Sequence, residues 1–241
     1  NGSTIVYASY NLPTSIGSGA NSSTFSYGAW RNRSKQVSVT AGSTETTIYV
    51  AGLFEKVTRG GSGTATEYRH RINATPGTVA IHTRRLTYDI QTYYLHRDHL
   101  GSGELITNAA GAQVVKLSFN ANGERRDTDW DGPISSSDLA TLANATRRGF
   151  TDHEHLDSVG LIHMNGRVYD PRIGRFLSRD SYIDGVQSSQ GANGYAYVWN
   201  NPLTRRDPTG YGGQADGLDV RSACNPDCPD TSSYGVGARL S

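Results

Sequence analysis

Two aspartates in the last third of the sequence, Asp180 in "GRFLSRDSYIDG" and Asp207 in "NNPLTRRDPTGYGGQ", are the residues best suited to chemistry. A hydrolytic step needs one group to activate water and another to protonate the leaving atom. Two carboxyls held close together can do both, because like charges push one pKa up and the pair then keeps a proton near neutral pH. The same residues have a plain structural use, since aspartate before proline or serine caps turns through its side-chain oxygens. Spacing alone leaves both readings open.

Other chemistry is weaker. His153-x-His155 with His163, or His96 with His99, offers imidazoles for a metal, but no cysteine or carboxylate spacing completes a known metal motif. On a strand, positions 96 and 99 point to opposite faces. Cys224 and Cys228 in "ACNPDCPD" lie close together, and a zinc site normally needs four ligands; a local disulfide or free thiols fit them better. Tyr182, Tyr195, Tyr197 and Tyr211 with Trp199 suit a sugar platform, or the packing face of a half-buried sheet. The residues imply neither a metal nor a cofactor.

Composition narrows the setting. The chain has 241 residues, 35% hydrophobic, with 28 Gly, 14 Tyr and a formal net charge of +1. That suits short strands joined by turns, and near-neutral charge makes no electrostatic case for nucleic acid. No apolar run approaches the ~20 residues that span a bilayer, and "NGSTIVYASYNLP" lacks the basic and apolar regions of a signal peptide. The sequence begins mid-pattern, as a piece cut from a longer chain would.

Punctuation from residue 1 to 127 is regular. "VSVTA" puts Val37, Val39 and Ala41 on one face, and "VVKLSF" does so with Val115, Leu117 and Phe119. Further strands are expected at 46–50, 65–72, 77–83, 91–96 and 103–107. The turn signals are Gly60 to Gly63, Pro76-Gly77, Asn108 to Gly111 and Asn122-Gly123. The pattern predicts an all-β chain of antiparallel hairpins. Residues 128–148 break it: Ser and Asp capping candidates precede Leu139, Leu142 and Ala143, which predicts a polar insert with a short helix over 136–147. As a surface insert it is expected to be dispensable for folding. From Gly149 to Tyr211 the texture is dense in aromatic, His and Arg residues. Residues 212–241 have almost no apolar periodicity.

Two segments point to a family. "YYLHRDHLGSGELITNAAGAQVVKLSFNANGE" (93–124) resembles the terminal Tyr-Asp repeats of Rhs proteins. "LIHMNGRVYDPRIGRFLSRD" followed by "NGYAYVWNNPLTRRDPTGY" (161–211) resembles the Rhs repeat-associated core domain. The second likeness is carried by Gly166-Arg167, Tyr169-Asp170, Gly174-Arg175-Phe176, Asp180, Tyr195-Ala196-Tyr197, Asn200-Asn201-Pro202 and Asp207-Pro208-Thr209-Gly210. It implies Tyr-Asp repeat strands over 1–127, the insert at 128–148, a core-domain plug over 149–211 and a tail from 212. In such proteins the repeat sheet spirals into a hollow shell, as in the C components of Tc toxins, and holds a variable C-terminal effector.

In many members the core cuts the chain after its Asp-Pro-x-Gly-hydrophobic motif, using two aspartates and an arginine. Carried onto this sequence, the resemblance implies a single-turnover intramolecular aspartic autoprotease. Asp180 and Asp207 are its catalytic pair, Arg167 its arginine, and the Tyr211–Gly212 bond its substrate. The upstream motif departs from the family pattern, reading Asp180-Ser181-Tyr182-Ile183 in place of Asp-Pro-x-Gly. The implied partners are the upstream repeats, the C-terminal effector, and other toxin-complex or secretion-system components, within a larger bacterial protein that is secreted or displayed at the cell surface. The competing expectation is a non-cleaving structural or adhesion module, since the same repeats resemble those of teneurins.

Overall fold

The computed structural model describes residues 2–60, 65–74, 77–86, 89–181, 190–212 and 214–215. The cysteines, Tyr182, most of the expected turn at Gly60 to Gly63, Pro76 and nearly all of the tail lie outside them. The first eleven strands are β1 (Thr4–Tyr7), β2 (Pro13–Ser18), β3 (Asn21–Tyr27), β4 (Arg33–Thr40), β5 (Ser43–Val50), β6 (Phe54–Arg59), β7 (Ala65–Ala74), β8 (Gly77–Arg85), β9 (Ile90–Arg97), β10 (Gly103–Thr107) and β11 (Gln113–Lys116). They form one sheet in which spatial order equals chain order, each strand antiparallel to the next. The fold is all-β and hairpin-built, as the pattern of strands and turns predicts.

One turn recurs. Asp98, Asn108 and Asn120 each place Oδ1 on the backbone N–H two and four residues ahead, at 2.8 to 3.0 Å. In each case the third residue on is a glycine in the left-handed region: Gly101, Gly111 and Gly123 at φ 79°, 76° and 90°. A side-chain acceptor and a residue free of Cβ strain together close the loop.

The sheet face turned to the rest of the molecule is unusually polar. Gln36, Thr47, Glu67, Arg69 and Thr83 are buried on it beside Ile16, Phe25, Val57, Ile81 and Tyr93. Val37 and Val39 lie on the opposite face and are only half-buried. Simple alternation therefore marks the wrong face of β4 as the covered one. The charged and amide groups among them are paired: Glu67 with Arg59, Arg69 and Arg85, and Gln36 with Arg33 and Ser38.

Two short strands, β12 (Ser118–Phe119) and β13 (Arg125–Arg126), lead into helix α1 (Ser136–Ala145). Ser135 caps the helix by accepting from Asp138 N–H at 3.0 Å. The helix is no free excursion. Leu142 and Ala145 are fully buried with Tyr93, Ile106, Val115 and Leu117, and the Ala143 carbonyl accepts from Arg59 and Arg69. The inward register is Leu142 and Ala145, with Leu139 and Ala143 half-buried.

A second sheet follows, from β14 (Glu154–Leu156), β15 (Leu161–Met164), β16 (Arg167–Asp170) and β17 (Arg175–Phe176), again antiparallel in chain order. Every residue of β14, β15 and β16 is buried. Leu156, Val159, Leu161 and Val168 pack on Ile16 and Phe25 of the large sheet. Phe150, Ile162, Met164, Tyr169, Phe176, Tyr197 and Val198 form a core of their own. Glu154 accepts from Arg33 and from Tyr49 Oη, tying this sheet to β4 and β5. A last pair, β18 (Arg205–Arg206) with β19 (Gln214–Ala215), closes a hairpin around residues 207–212.

Candidate active site

The turn at Asn165, on the hairpin between β15 and β16, and the returning segment 207–211 lie against each other. Gly166 N–H donates to the Thr209 carbonyl at 2.9 Å, and Asn165 donates to the Pro208 carbonyl at 2.9 Å. Gly210 makes this approach feasible. A Cβ there would sit 2.1 Å from the Met164 carbonyl oxygen, and its φ of +79° disfavours any side chain.

Arg167 enters from the start of β16 and is 2% exposed. Its Nη2 lies 2.8 Å from Asp180 Oδ2 and 3.4 Å from Asp207 Oδ2. Nη1 donates to the Gly194 carbonyl at 3.0 Å, Nε donates to the Gly210 carbonyl, and the guanidinium rests on the Phe176 ring. Asp180 is brought in by its backbone N–H, which donates to the same Gly194 carbonyl at 2.9 Å. The three residues are thus in one place, although 40 positions separate Arg167 from Asp207. A surface pairing of Arg167 with Asp170 does not form; Asp170 is held by Arg172.

Asp207 is buried and uses its oxygens differently. Oδ1 accepts from the N–H groups of Thr209, Gly210 and Tyr211 at 3.2, 2.8 and 3.1 Å. Burial pushes its pKa up from the usual carboxylate range. The Arg167 charge and the Gly212 and Gly210 N–H groups pull the other way, and Asp180 adds to the rise. Burial lowers the Arg167 pKa, with both aspartates opposing. Burial and the neighbouring Asp180 carboxyl favour a proton on Asp207, while the Arg167 guanidinium favours its ionised form.

Of the two carbonyls that Arg167 donates to, the one in this segment belongs to Gly210, one residue before Tyr211, so in this conformation the guanidinium anchors the segment instead of polarising the Tyr211 carbonyl. His153, which the residue pattern offers only as a metal ligand, turns out to position Asp207: its Nε2 donates to the Asp207 carbonyl at 2.8 Å. Burial depresses the His153 pKa to about 4. His155 accepts from Phe150 N–H, His163 lies 3.3 Å from Tyr27 Oη, and no cluster of three metal-ligating side chains exists among the described residues.

The remaining motif residues frame this centre. Gly174, at φ 63°, turns the chain into Arg175, whose guanidinium reaches the Asn200 side chain. Phe176 and Tyr197 are core, whereas Tyr195 is 47% exposed. Val198, Trp199 and Asn200 all take positive φ, and with Asn201-Pro202 they swing the chain back toward Asp207. The described tyrosines of this set therefore do not share one surface: Tyr197 is buried with Tyr169 and Phe176, and Tyr211 lies against Gly166.

No family model matches the chain. Among curated proteins it is similar to the tRNA nuclease WapA of Bacillus subtilis (strain 168), 29% identical over 119 residues, which is 49% of this chain and 5% of that protein. It is also similar to the double-stranded DNA deaminase toxin A of Burkholderia cenocepacia (strain H111), 28% identical over 123 residues, 50% of this chain and 8% of that one. Among solved structures, the crystal structure of TcdB2-TccC3-Cdc42 superposes with a TM-score of 0.71 at 19% identity, over 87% of this chain and 10% of that chain. The Photorhabdus luminescens Tc holotoxin pore, carrying a TccC3 mutation, superposes with a TM-score of 0.71 at 16% identity, over 95% of this chain and 11% of that chain. The fold is that of a segment of these toxin structures. The chain spans only 5% to 8% of the length of these two curated relatives. No described helix is long and apolar enough to cross a membrane.

Proposed function

We propose that the chain is part of an Rhs-type toxin shell, and that Asp180 and Asp207 cut it once after Tyr211 to free the C-terminal segment. The carrying observation is one Arg167 nitrogen against both aspartates, while Asp207 receives the peptide N–H group of Tyr211. In the cut, Asp180 takes a proton from water as the oxygen adds to the Tyr211 carbonyl carbon. Asp207, whose pKa burial raises, carries the second proton and gives it to the Gly212 nitrogen as the C–N bond breaks. The products are a Tyr211 carboxylate and a Gly212 amine.

A carrier role fits the relatives. The chain is similar to proteins named for tRNA cleavage and for DNA deamination, and it matches only a small share of each. A part common to such different activities is suited to holding an effector encoded elsewhere. Its partners would then be upstream repeats, that effector, and other toxin-complex or secretion-system components. The setting would be a secreted or cell-surface bacterial protein.

The second reading is a non-cleaving structural or adhesion module. It is favoured by one observation: the Asp207 turn is built like those of Asn108 and Asn120, so an aspartate there has a structural task whether or not it cuts. Intact mass and N-terminal sequencing after expression within the full open reading frame separate the two. Two pieces, one beginning at Gly212, support cleavage. A chain that stays whole through prolonged incubation sinks it, and a fragment beginning at Tyr211 would move the cut to the bond whose carbonyl Arg167 holds.

A further inference from the structure

Gly166 has no Cβ where a Cβ would strike the Tyr211 ring, 2.2 Å from one ring carbon and 2.6 Å from two others. The aromatic ring therefore lies directly on the backbone of Gly166. The reason for glycine is this contact and not backbone strain, because Gly166, unlike its neighbour Asn165 at φ 59°, is outside the left-handed region. The Arg167 guanidinium carbon lies 5.9 Å from the same ring. Tyr211 also lines a cavity of about 530 Å³ that continues past Tyr10, Arg31, Arg33 and Phe54. At its backbone end, Tyr211 N–H is fixed on Asp207 Oδ1 at 3.1 Å.

We propose that Gly166 forms the floor of a slot that selects a flat, unbranched side chain at the residue before the cut, and that Tyr211 registers the scissile bond by lying in it. This rests on the cleavage reading above and adds its substrate specificity. With the ring seated and Tyr211 N–H on Asp207, the residue is held at two points, and the next peptide bond is carried toward the aspartate pair. An alanine at 166 lifts the ring and misplaces that bond. A branched side chain at 211 cannot lie flat, because its second Cβ substituent stands off the plane.

The test is a double-mutant cycle on the rate of chain cleavage in the full open reading frame, read by intact mass over time. Gly166→Ala should slow the cut about 100-fold, the scale of a misplacement near 1 Å. In a Tyr211→Ala background the same Gly166→Ala change should have no further effect, since no ring remains to displace. Tyr211→Val, which leaves Gly166 untouched, should be at least as slow as Tyr211→Ala; this arm stands even where Gly166→Ala does not fold. Equal costs of Gly166→Ala in both backgrounds, or Tyr211→Val cut at the wild-type rate, overturns the slot while leaving the cleavage reading intact. A wild-type chain that is never cut overturns both.

Discussion

Asp207 and Asn108 hold the same kind of turn. Asn108 Oδ1 accepts from the N–H groups of Ala110 and Ala112, and Asp207 Oδ1 from those of Thr209 and Tyr211, with glycines at 111 and 210 near φ 76° and 79°. The repeat-type turn tolerates either side chain, because only an acceptor oxygen is needed. What sets position 207 apart is its buried place beside Arg167 and Asp180.

Asp207→Asn should therefore keep the turn and the fold while abolishing the cut, a loss of at least about 10²-fold for a missing proton donor. Stability adds a second signature. The folded-state pKa of Asp207 is raised, so its ionised form is disfavoured on folding. Its contribution is fully present below the ordinary carboxylate pKa and lost as pH rises through the raised value. Asp207→Asn removes that loss, and urea midpoints should shift in its favour from acid to neutral pH. A folded variant still releasing a fragment that begins at Gly212 would remove Asp207 from the chemistry.

Much of this was legible in the sequence because strands and turns are local. Strands β4, β5 and β7 to β11 follow from alternation and from Asn, Asp and Gly signals, whereas β6 was not expected and the run 115–119 divides between β11 and β12. The first three strands were harder to read, since "PTSIGS" and "NSSTFSY" carry few apolar residues and owe their order to neighbours. The placement of α1 was also hidden. Its inward residues are only Leu142 and Ala145, and its other anchors are backbone carbonyls that reveal nothing in the sequence. Motif residues identified Asp180, Asp207 and Arg167 as a group; His153 was not assigned to Asp207, because that contact is to a backbone carbonyl.

Leu142→Ala should cost about 2–5 kcal/mol, the range for a buried leucine that leaves a cavity. Ser135→Ala should cost about 1 kcal/mol through the lost helix cap. Replacing residues 128–148 by a short Gly-Ser link should destabilise the chain more than Leu142→Ala does, because it also removes Ala145 and the carbonyls that hold Arg59 and Arg69. Chemical denaturation of the three variants checks the order. A deletion that leaves the midpoint unchanged would restore the view of this segment as a surface insert.

Acid should loosen the second sheet. His153 has its pKa depressed by burial to about 4, so it stabilises the fold above the unfolded-state value near 6.5. That stability is lost as pH falls toward 4, by about 3 kcal/mol at full effect. Burial lowers His155 and His163 as well, with Arg125 and Arg33 respectively adding to it. Glu154 acts in the same direction: burial alone would raise it, but Arg33, Arg148 and Tyr49 hold it below the ordinary value, so its contribution also fades on acidification. Urea midpoints from pH 7 to pH 4 should fall steeply in wild type and less steeply in His153→Gln. Parallel slopes would show that His153 does not govern the acid limb.

Arg167→Ala gives the last test, because it separates anchoring from proton control. The guanidinium is shared by Asp180, Asp207 and the carbonyls of Gly194 and Gly210. Its removal leaves buried carboxyls without their cation, at a cost of about 3–5 kcal/mol near neutral pH. Without the positive charge the Asp207 pKa must rise further, since Arg167 is the largest influence lowering it. The stability penalty should therefore be greatest at high pH and shrink as the carboxyls protonate in acid. Any residual cleavage should have a pH profile displaced upward, with the falling limb set by the protonated aspartate moving to higher pH. Asp207→Asn shows neither effect, as it has no charge to stabilise. A pH-independent penalty in Arg167→Ala, with an unshifted cleavage profile, would reduce Arg167 to an anchor of the 207–211 segment and leave the protonation state of the pair to burial alone.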